Sequence, residues 1–279
     1  MSKADLHIHT TASDGHSTPT EIVQSAHKHK LEIISITDHD TIRGYQQALE
    51  TAEKLNIQLL PGVEITADFK GRECHLLAYC FDPTHPAINE LLAQHCRSRL
   101  ERAKWIINRL SEEGFDLSIE EVKAEANGGI LARPHIASVL IDKGYVASFK
   151  EAFIRYLSDE SLGTIYNEYH SHHKVIETVK EAGGALVVAH PGNIYGKDEL
   201  EVLVDAGIDG IESIHPSHDY QTQKRIEQFA DKHNLLMTGG SDFHGGNEEY
   251  KKFFGVVTIN TKYVNRLINM TRKRKKIKV

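Results

Sequence analysis

Residues 33–40, IISITDHD, pass within a few positions from a β-branched run to carboxylate, imidazole and carboxylate. The first half suits a strand, because branched side chains pack well on a pleated surface. The second half cannot lie in an apolar layer without partners, since a buried charge is costly unless paired or bound to a metal. A strand that ends in Asp38, His39 and Asp40 satisfies both demands.

The same change recurs along the chain. Segments 4–10, 32–38, 57–66, 73–80, 185–190, 208–215 and 235–241 read as strands, with helix-period stretches between most of them. His7 and His9 end the first strand, and their spacing puts both imidazoles on one face while Leu6 and Ile8 pack behind. PGVEIT reaches Glu64, RECHLLAY carries His75, and ALVVAHPGN ends in His190. GIDGIESIHP carries Glu212 and His215, and LLMTGGSDFHGG ends in Asp242 and His244. Thr18-Pro19-Thr20-Glu21 opens a helix in capping fashion and Gly183-Gly184 closes another. The alternation predicts parallel βα units in an α/β fold. In an α/β barrel, such strand ends converge on one mouth. Crowded there, the carboxylates and imidazoles are compatible only around divalent cations, which neutralise the acids and take imidazole nitrogens as ligands.

Between about Pro86 and Gly163 the strand rhythm stops. INELLAQHCRSRLERAKWIINRLSEEG has apolar residues at helical spacing and predicts a helical insertion packed over the barrel mouth. The expected organisation is a barrel from 1–85 and 164–265, the insertion at 86–163, and a basic tail at 266–279.

Composition narrows the alternatives. A 279-residue chain with 40% hydrophobic and 26% charged residues belongs to neither the disordered nor the membrane class. No apolar run is long enough for a spanning helix. MSKADLHIHT has no signal-peptide segment, so the expected location is cytoplasmic. Cys74, Cys80 and Cys96 form no CxxC pair, which argues against a disulfide framework or a thiolate zinc site and leaves them as reduced packing residues. Arg272, Lys273, Arg274, Lys275, Lys276 and Lys278 make the terminus basic although the net charge is −6. Such termini are more often solvated than bound to polyanions, and no DNA-specific motif accompanies this one.

DLHIHTTASDG, TDHDT, GVEI, CHLLAY, AHPG and GGSDFH resemble, in order, the motifs of the polymerase and histidinol phosphatase family of phosphoesterases. The resemblance implies a distorted (β/α)7 barrel with a trinuclear metal site, and the helical segment resembles the insertion of the nucleotide-phosphatase branch. Position by position it implies that His7, His9, Glu64 and Asp242 hold one ion, Glu64, His75 and His190 a second, and Asp14, His39 and His244 a third. Formal counting of three divalent ions, three carboxylates and one hydroxide leaves about +2, which would attract a phosphate dianion. Hydrolysis would follow from attack of metal-bound hydroxide on phosphorus. The oxygen- and nitrogen-rich donor set suits manganese, iron or zinc, and manganese is the first expectation by resemblance. Arg133 would grip a second phosphate with its guanidinium fork. Ser17, Asn193 and His218 would assist, with His218 also placed to protonate the leaving oxygen.

The leading expectation is an enzyme acting on a small nucleotide such as a 3',5'-bisphosphate, or on short 5'-phosphorylated RNA, with no membrane partner. The competing readings are a histidinol-phosphate phosphatase, which would need a pocket for a cationic amine, and a non-catalytic, metal-stabilised scaffold. For individual residues the blander alternatives stay open. Arg133 could anchor a loop by a salt bridge. Asp5, Asp38, Asp40, Glu212 and His215 could orient ligands or simply bond backbone. His27, His29, His172 and His173 read as exposed polar residues, and Cys74 as a packing residue on the face opposite His75.

Overall fold

The strands are two to eight residues long, and most of their residues are buried. A computed structural model describes residues 2–162, 169–192, 194–246 and 252–277. Strands β1 (Lys3–Asp5), β2 (Ile33–Ser35), β3 (Gln58–Leu60) and β9 (Ile259–Asn260) form one sheet in the order β3-β2-β1-β9. Strands β4 (Gly62–Phe69), β5 (Arg72–Tyr79), β6 (Ala185–Val188), β7 (Gly210–Ile214) and β8 (Leu236–Gly239) form a second, in sequence order.

This arrangement corrects the expectation of uniformly parallel βα units. β1, β2 and β3 pair in parallel, as do β6, β7 and β8, but β4 pairs antiparallel with β5, and β5 with β6. Only Lys70 and Gly71 join β4 to β5, too short a link for the crossover a parallel pair requires. Segment 57–66 splits at Pro61, because proline has no N–H to give a ladder. The first strand also leaves its ladder earlier than expected. Beyond Asp5 its backbone is shared out: Leu6 N–H donates to Gly239 O, His9 N–H to Phe243 O, and Ile8 O accepts from Thr37 N–H. Single parallel bridges, Ile8 with Phe243 and His39 with Glu64, carry the two sheets past each other at the strand ends.

Helices α1 (Pro19–Lys28) and α2 (Arg43–Lys54) follow β1 and β2, and α8 (His172–Glu181), α9 (Lys197–Ala206) and α10 (Tyr220–Lys232) flank the later strands. The predicted capping box at Thr18 and Glu21 is present, and Gly183, with φ +74°, follows the end of α8 as predicted. Between β5 and α8 lie α3 (Pro86–Glu112), α4 (Ile119–Glu125), α5 (Arg133–Asp142), α6 (Phe149–Ala152), a π-helical turn at Phe153–Leu157 and α7 (Asp159–Leu162). These helices share a core of their own, around Ile106, Leu110, Val122, Ile136, Leu140 and Leu157. The basic terminus is the end of α11 (Thr261–Ile277), which packs under β8, β9 and β1. There Arg274 is tied to Asp209 at 2.6 Å rather than left to solvent. Among the described residues no helix is long and apolar enough to cross a membrane.

Helix α3 changes character along its buried face. Ile88, Leu91 and Leu92 give way to His95, Ser98, Arg99 and Arg102, and then to Ala103, Ile106 and Leu110. The 95, 98, 99, 102 spacing is that of one helical stripe, so this polar patch is buried by the same geometry as its apolar neighbours.

Candidate metal centre

Glu64, on β4, sits where the strand ends meet. Its Oε2 lies 3.3 Å from His7 Nε2, 3.1 Å from His9 Nε2 and 3.4 Å from His39 Nδ1. Its Oε1 lies 3.0 Å from His75 Nδ1 and 3.1 Å from His190 Nε2. Asp242 brings Oδ1 to 3.2 Å from His7 Nε2 and 3.3 Å from His9 Nε2. Asp14 faces His244 at 3.5 Å, His9 at 3.6 Å and His39 at 3.8 Å. The structure therefore brings every expected ligand into one cluster. It adds His215, whose Nε2 is 3.2 Å from Asp242 Oδ2 and which groups with His7 and Asp242. His215 follows Glu212 at the end of β7, so its position at a strand end was the available signal.

The cluster is incomplete by its own hydrogen bonding. His9 Nδ1 and Nε2, His39 Nδ1 and Asp14 Oδ1 are buried atoms without a hydrogen-bond partner. Burial would lower the pKa of His9, but its contacts with Asp242 and Glu64 and the charge of Asp14 push it up to about 10. Burial, against weaker attraction from Glu64 and Asp14, takes His39 down to about 3. Burial would raise Glu64, yet the neighbouring imidazoles His39, His7 and His75 hold it well below the usual carboxylate range. Among the described residues, protonated imidazoles such as His9 are what offsets the carboxylates at the centre of the cluster. Donor atoms within 4.8 Å of one another, in the groups His9–Asp14–His39–His244, His7–His9–Glu64 and His39–Glu64–His75, suit divalent ions in place of these protons.

The surrounding carboxylates hold the clustered side chains and their backbone in position. Glu212 Oε1 accepts from His7 Nδ1 at 3.0 Å, turning Nε2 toward the cluster, and Oε2 accepts from His190 N–H at 2.7 Å. Asp5 accepts from Ser241 N–H and His7 N–H. Asp38 accepts from Thr10 N–H at 2.7 Å and Ser13 Oγ at 2.6 Å, shaping the loop that carries Asp14. Gly15 is required in that loop, since a Cβ there would stand 2.6 Å from the His9 carbonyl. Asp40 reaches away from the cluster to Arg99 Nε at 2.6 Å, His95 Nδ1 at 3.0 Å and Thr66 N–H at 2.9 Å.

The residues expected around a second phosphate fare unevenly. Ser17 is half-buried on the Asp14 loop, where its carbonyl accepts from Thr11 N–H. Arg133 donates to Leu157 O and Glu73 Oε2, both at 3.1 Å, and so joins the end of the π-helical turn to β5. Asn193 lies outside the described residues. His218 has both ring nitrogens engaged by backbone: Nδ1–H donates to Ser213 O, and Nε2 accepts from Gly192 N–H at 3.0 Å. In this tautomer Nε2 carries no proton, so protonating a leaving oxygen would require the Gly192 bond to break. His172 is buried rather than exposed, its Nδ1 bonded to Asp68 O, while Cys96 is exposed rather than packed. Cys74 is buried in the core as expected.

Comparison with known proteins agrees with this geometry. The PHP domain family matches residues 5–194. A 5'-3' exoribonuclease of Haemophilus influenzae is 35% identical over 87% of this chain and 90% of its own. A 3',5'-nucleoside bisphosphate phosphatase of Chromobacterium violaceum is 32% identical over 89% of each chain. A Bifidobacterium adolescentis structure described as a metal-dependent phosphoesterase superposes with a TM-score of 0.86, at 33% identity over 96% of each chain. The chain belongs to the PHP domain family. Within that family it is a metal-dependent phosphoester hydrolase.

Proposed function

We propose that the chain removes the 3'-phosphate from nucleoside 3',5'-bisphosphates and trims short 5'-phosphorylated RNA from its 5' end to mononucleotides. The observation that carries this reading is one cavity of about 170 Å³ whose lining brings Asp14, His39 and His75 together with Arg99, Arg102 and Arg133. A substrate with two anionic groups suits such a wall. A histidinol-phosphate phosphatase would seat a cationic amine beside three guanidiniums, and Glu73, which also lines the cavity, is already paired with Arg102 and Arg133. The names of the relatives above support nucleotide and RNA substrates.

In this proposal His7, His9, Glu64 and Asp242 hold one divalent ion, Glu64, His75 and His190 a second, and Asp14, His39 and His244 a third. Manganese is the first choice and iron or zinc the alternatives. Ions bound there supply Lewis-acid polarisation of the phosphoryl group and a water activated near neutral pH. Glu212 fixes the His7 ring and the His190 backbone together. His218, with Arg225 on Gly192 O, pins the turn after His190. Ser17, Arg133 and Asn193 are assigned to substrate binding. We read the two sheets as one interrupted (β/α)7 barrel from 1–85 and 164–265, with 86–163 as its helical insertion and 266–279 as a basic tail.

A phosphate-release screen with manganese tests the reading, over adenosine 3',5'-bisphosphate, short RNAs with and without a 5'-phosphate, and histidinol phosphate. The bisphosphate and the 5'-phosphorylated RNA should be the best substrates. Turnover of histidinol phosphate alone would replace this reading with its rival.

A further inference from the structure

What stands behind an imidazole decides what it offers in front, because a neutral ring carries one proton and one nitrogen lone pair. His7 and His244 have acceptors behind them: His7 Nδ1–H donates to Glu212 Oε1 at 3.0 Å, and His244 Nδ1–H to Asp242 O at 2.9 Å. Each ring therefore turns an Nε2 lone pair to the cluster, His7 toward Glu64 and Asp242, His244 toward Asp14. His215 is the reverse case. Its Nδ1 accepts from Ser217 N–H at 3.1 Å and lies 2.7 Å from Ser217 Oγ. A backbone amide can only donate, so Nδ1 keeps the lone pair and the proton sits on Nε2. That Nε2–H meets Asp242 Oδ2 at 3.2 Å, and the imidazole is only 8% exposed. The local sequence sets this up: Pro216 and Ser217 are the central residues of a turn closed by His218 N–H on His215 O at 3.0 Å, which brings the Ser217 amide onto Nδ1.

We infer that His215 is a positioning residue for Asp242 and not a metal ligand, although a ring nitrogen lies close enough to His7 and Asp242 to group with them. To bind an ion, Nε2 would have to pass its proton to Nδ1, which would set N–H against N–H at Ser217. Instead Nε2–H occupies Oδ2 and leaves Oδ1 to face His7 Nε2 at 3.2 Å and His9 Nε2 at 3.3 Å. Asp242 needs such a hold. It follows β8 with a φ of +48°, a sparsely populated conformation, and its side chain is 26% exposed where that of Glu64 is 1% exposed, so packing confines it less. A hydrogen bond to one oxygen decides which oxygen a carboxylate presents to an ion, and with it the ion's affinity. The backbone of the 215–218 turn thus reaches the metal centre through one imidazole. This inference rests on the assignment of His7, His9, Glu64 and Asp242 to an ion.

Manganese binding tests this in the wild type, in His215→Phe, which removes the donor, and in His215→Gln, whose amide N–H reaches the place of Nε2–H. All three should take up the same number of manganese ions at saturation. In chelator competition the affinity should fall on the order of 10- to 100-fold in the Phe variant and by no more than about threefold in the Gln variant. At saturating manganese the Phe variant should lose kcat on adenosine 3',5'-bisphosphate with KM little changed, and the Gln variant should retain most of it. One ion fewer at saturation in both variants would make His215 a ligand and overturn the inference. An unchanged affinity in the Phe variant, or a loss that Gln does not repair, would reduce His215 to packing and overturn it as well. A second measurement needs neither turnover nor the Phe variant, and decides the matter should that variant not fold. Nitrogen NMR of histidine-labelled, zinc-loaded protein reads the tautomer directly. The ring signals that the Gln variant lacks should show a proton on Nε2, none on Nδ1, and no bound zinc. A zinc-bound Nε2, or a proton on Nδ1, overturns the inference. A wild type that binds manganese and shows the expected pattern but hydrolyses no nucleotide refutes the substrate reading and leaves the role of His215 standing.

Discussion

Two buried polar clusters stand side by side in this protein and differ in one respect. In the knot of Asp40, Arg99, His95 and Thr66, one carboxylate meets a guanidinium, an imidazole and an amide, and Arg99 spends its remaining fork on a hydroxyl. In the cluster around Glu64, the imidazoles crowd the carboxylates while ring nitrogens of His9 and His39 and an oxygen of Asp14 have no hydrogen-bond partner. Buried carboxylates and imidazoles thus belong to a closed structural device in one place and to an open receptor in the other. Burial and charge do not separate structure from function here; the completeness of the hydrogen-bond inventory does.

The sharpest way to break the comparison is to alter the centre of the open cluster. Glu64→Gln should reduce phosphate release at least about 1000-fold while the fold survives, because its charge serves ions rather than packing. Activity within tenfold of the wild type, in manganese and by the same assay, would remove Glu64 from the centre. The closed knot should respond in stability instead. Asp40→Asn keeps the shape and the positive φ of +50° but leaves Arg99 a buried charge without its counter-ion, at a cost of about 3–5 kcal/mol in urea unfolding. A cost below about 1 kcal/mol would mean that the knot is not the anchor of α3.

Glu212 lies between the two types, being closed in its own bonds yet acting on an open neighbour. Glu212→Gln should weaken manganese binding 10- to 100-fold in a chelator competition, since it loosens the His7 ring and the His190 backbone. Unchanged affinity would reduce Glu212 to packing. The smallest effect is expected on the outer face of α3. Cys96, adjacent to His95 but exposed, should be the only thiol that reacts with a disulfide reagent in the native protein. Burial pushes Cys74 and Cys80 up to about 11, and they should react only on unfolding. Modified Cys96 should leave turnover as it was; a loss of activity would mean that the two faces of α3 are coupled.

Much of this was legible in the residue order. The turn from IISIT to DHD, and its repetition at Glu64, His190 and Asp242, located strand ends and candidate ligands because β-branched runs and buried charges have opposite solvation demands. The helical spacing in 88–114 likewise showed that a stripe of α3 would be buried. It did not show that His95, Arg99 and Arg102 belonged to that stripe, since a sequence pattern read for apolar residues passes over polar ones that are buried in pairs. Nor could it show that His172 is buried and Cys96 exposed, as both depend on the neighbour that each helix meets.

What the sequence determined on its own is therefore the local chemistry: which segments extend, which coil, and which strand ends carry imidazole or carboxylate. Only the tertiary structure decided that β4 returns antiparallel into β5, that the strands divide into two sheets bridged at Ile8 and His39, and that Arg133 is bonded to Glu73 while two nitrogens of Arg102 have no hydrogen-bond partner. The physical reason is that periodicity and propensity act over a few residues along the chain. Whether a buried donor finds its acceptor is settled by groups tens of residues away, such as Glu73 and Arg102, which meet only after the chain has folded.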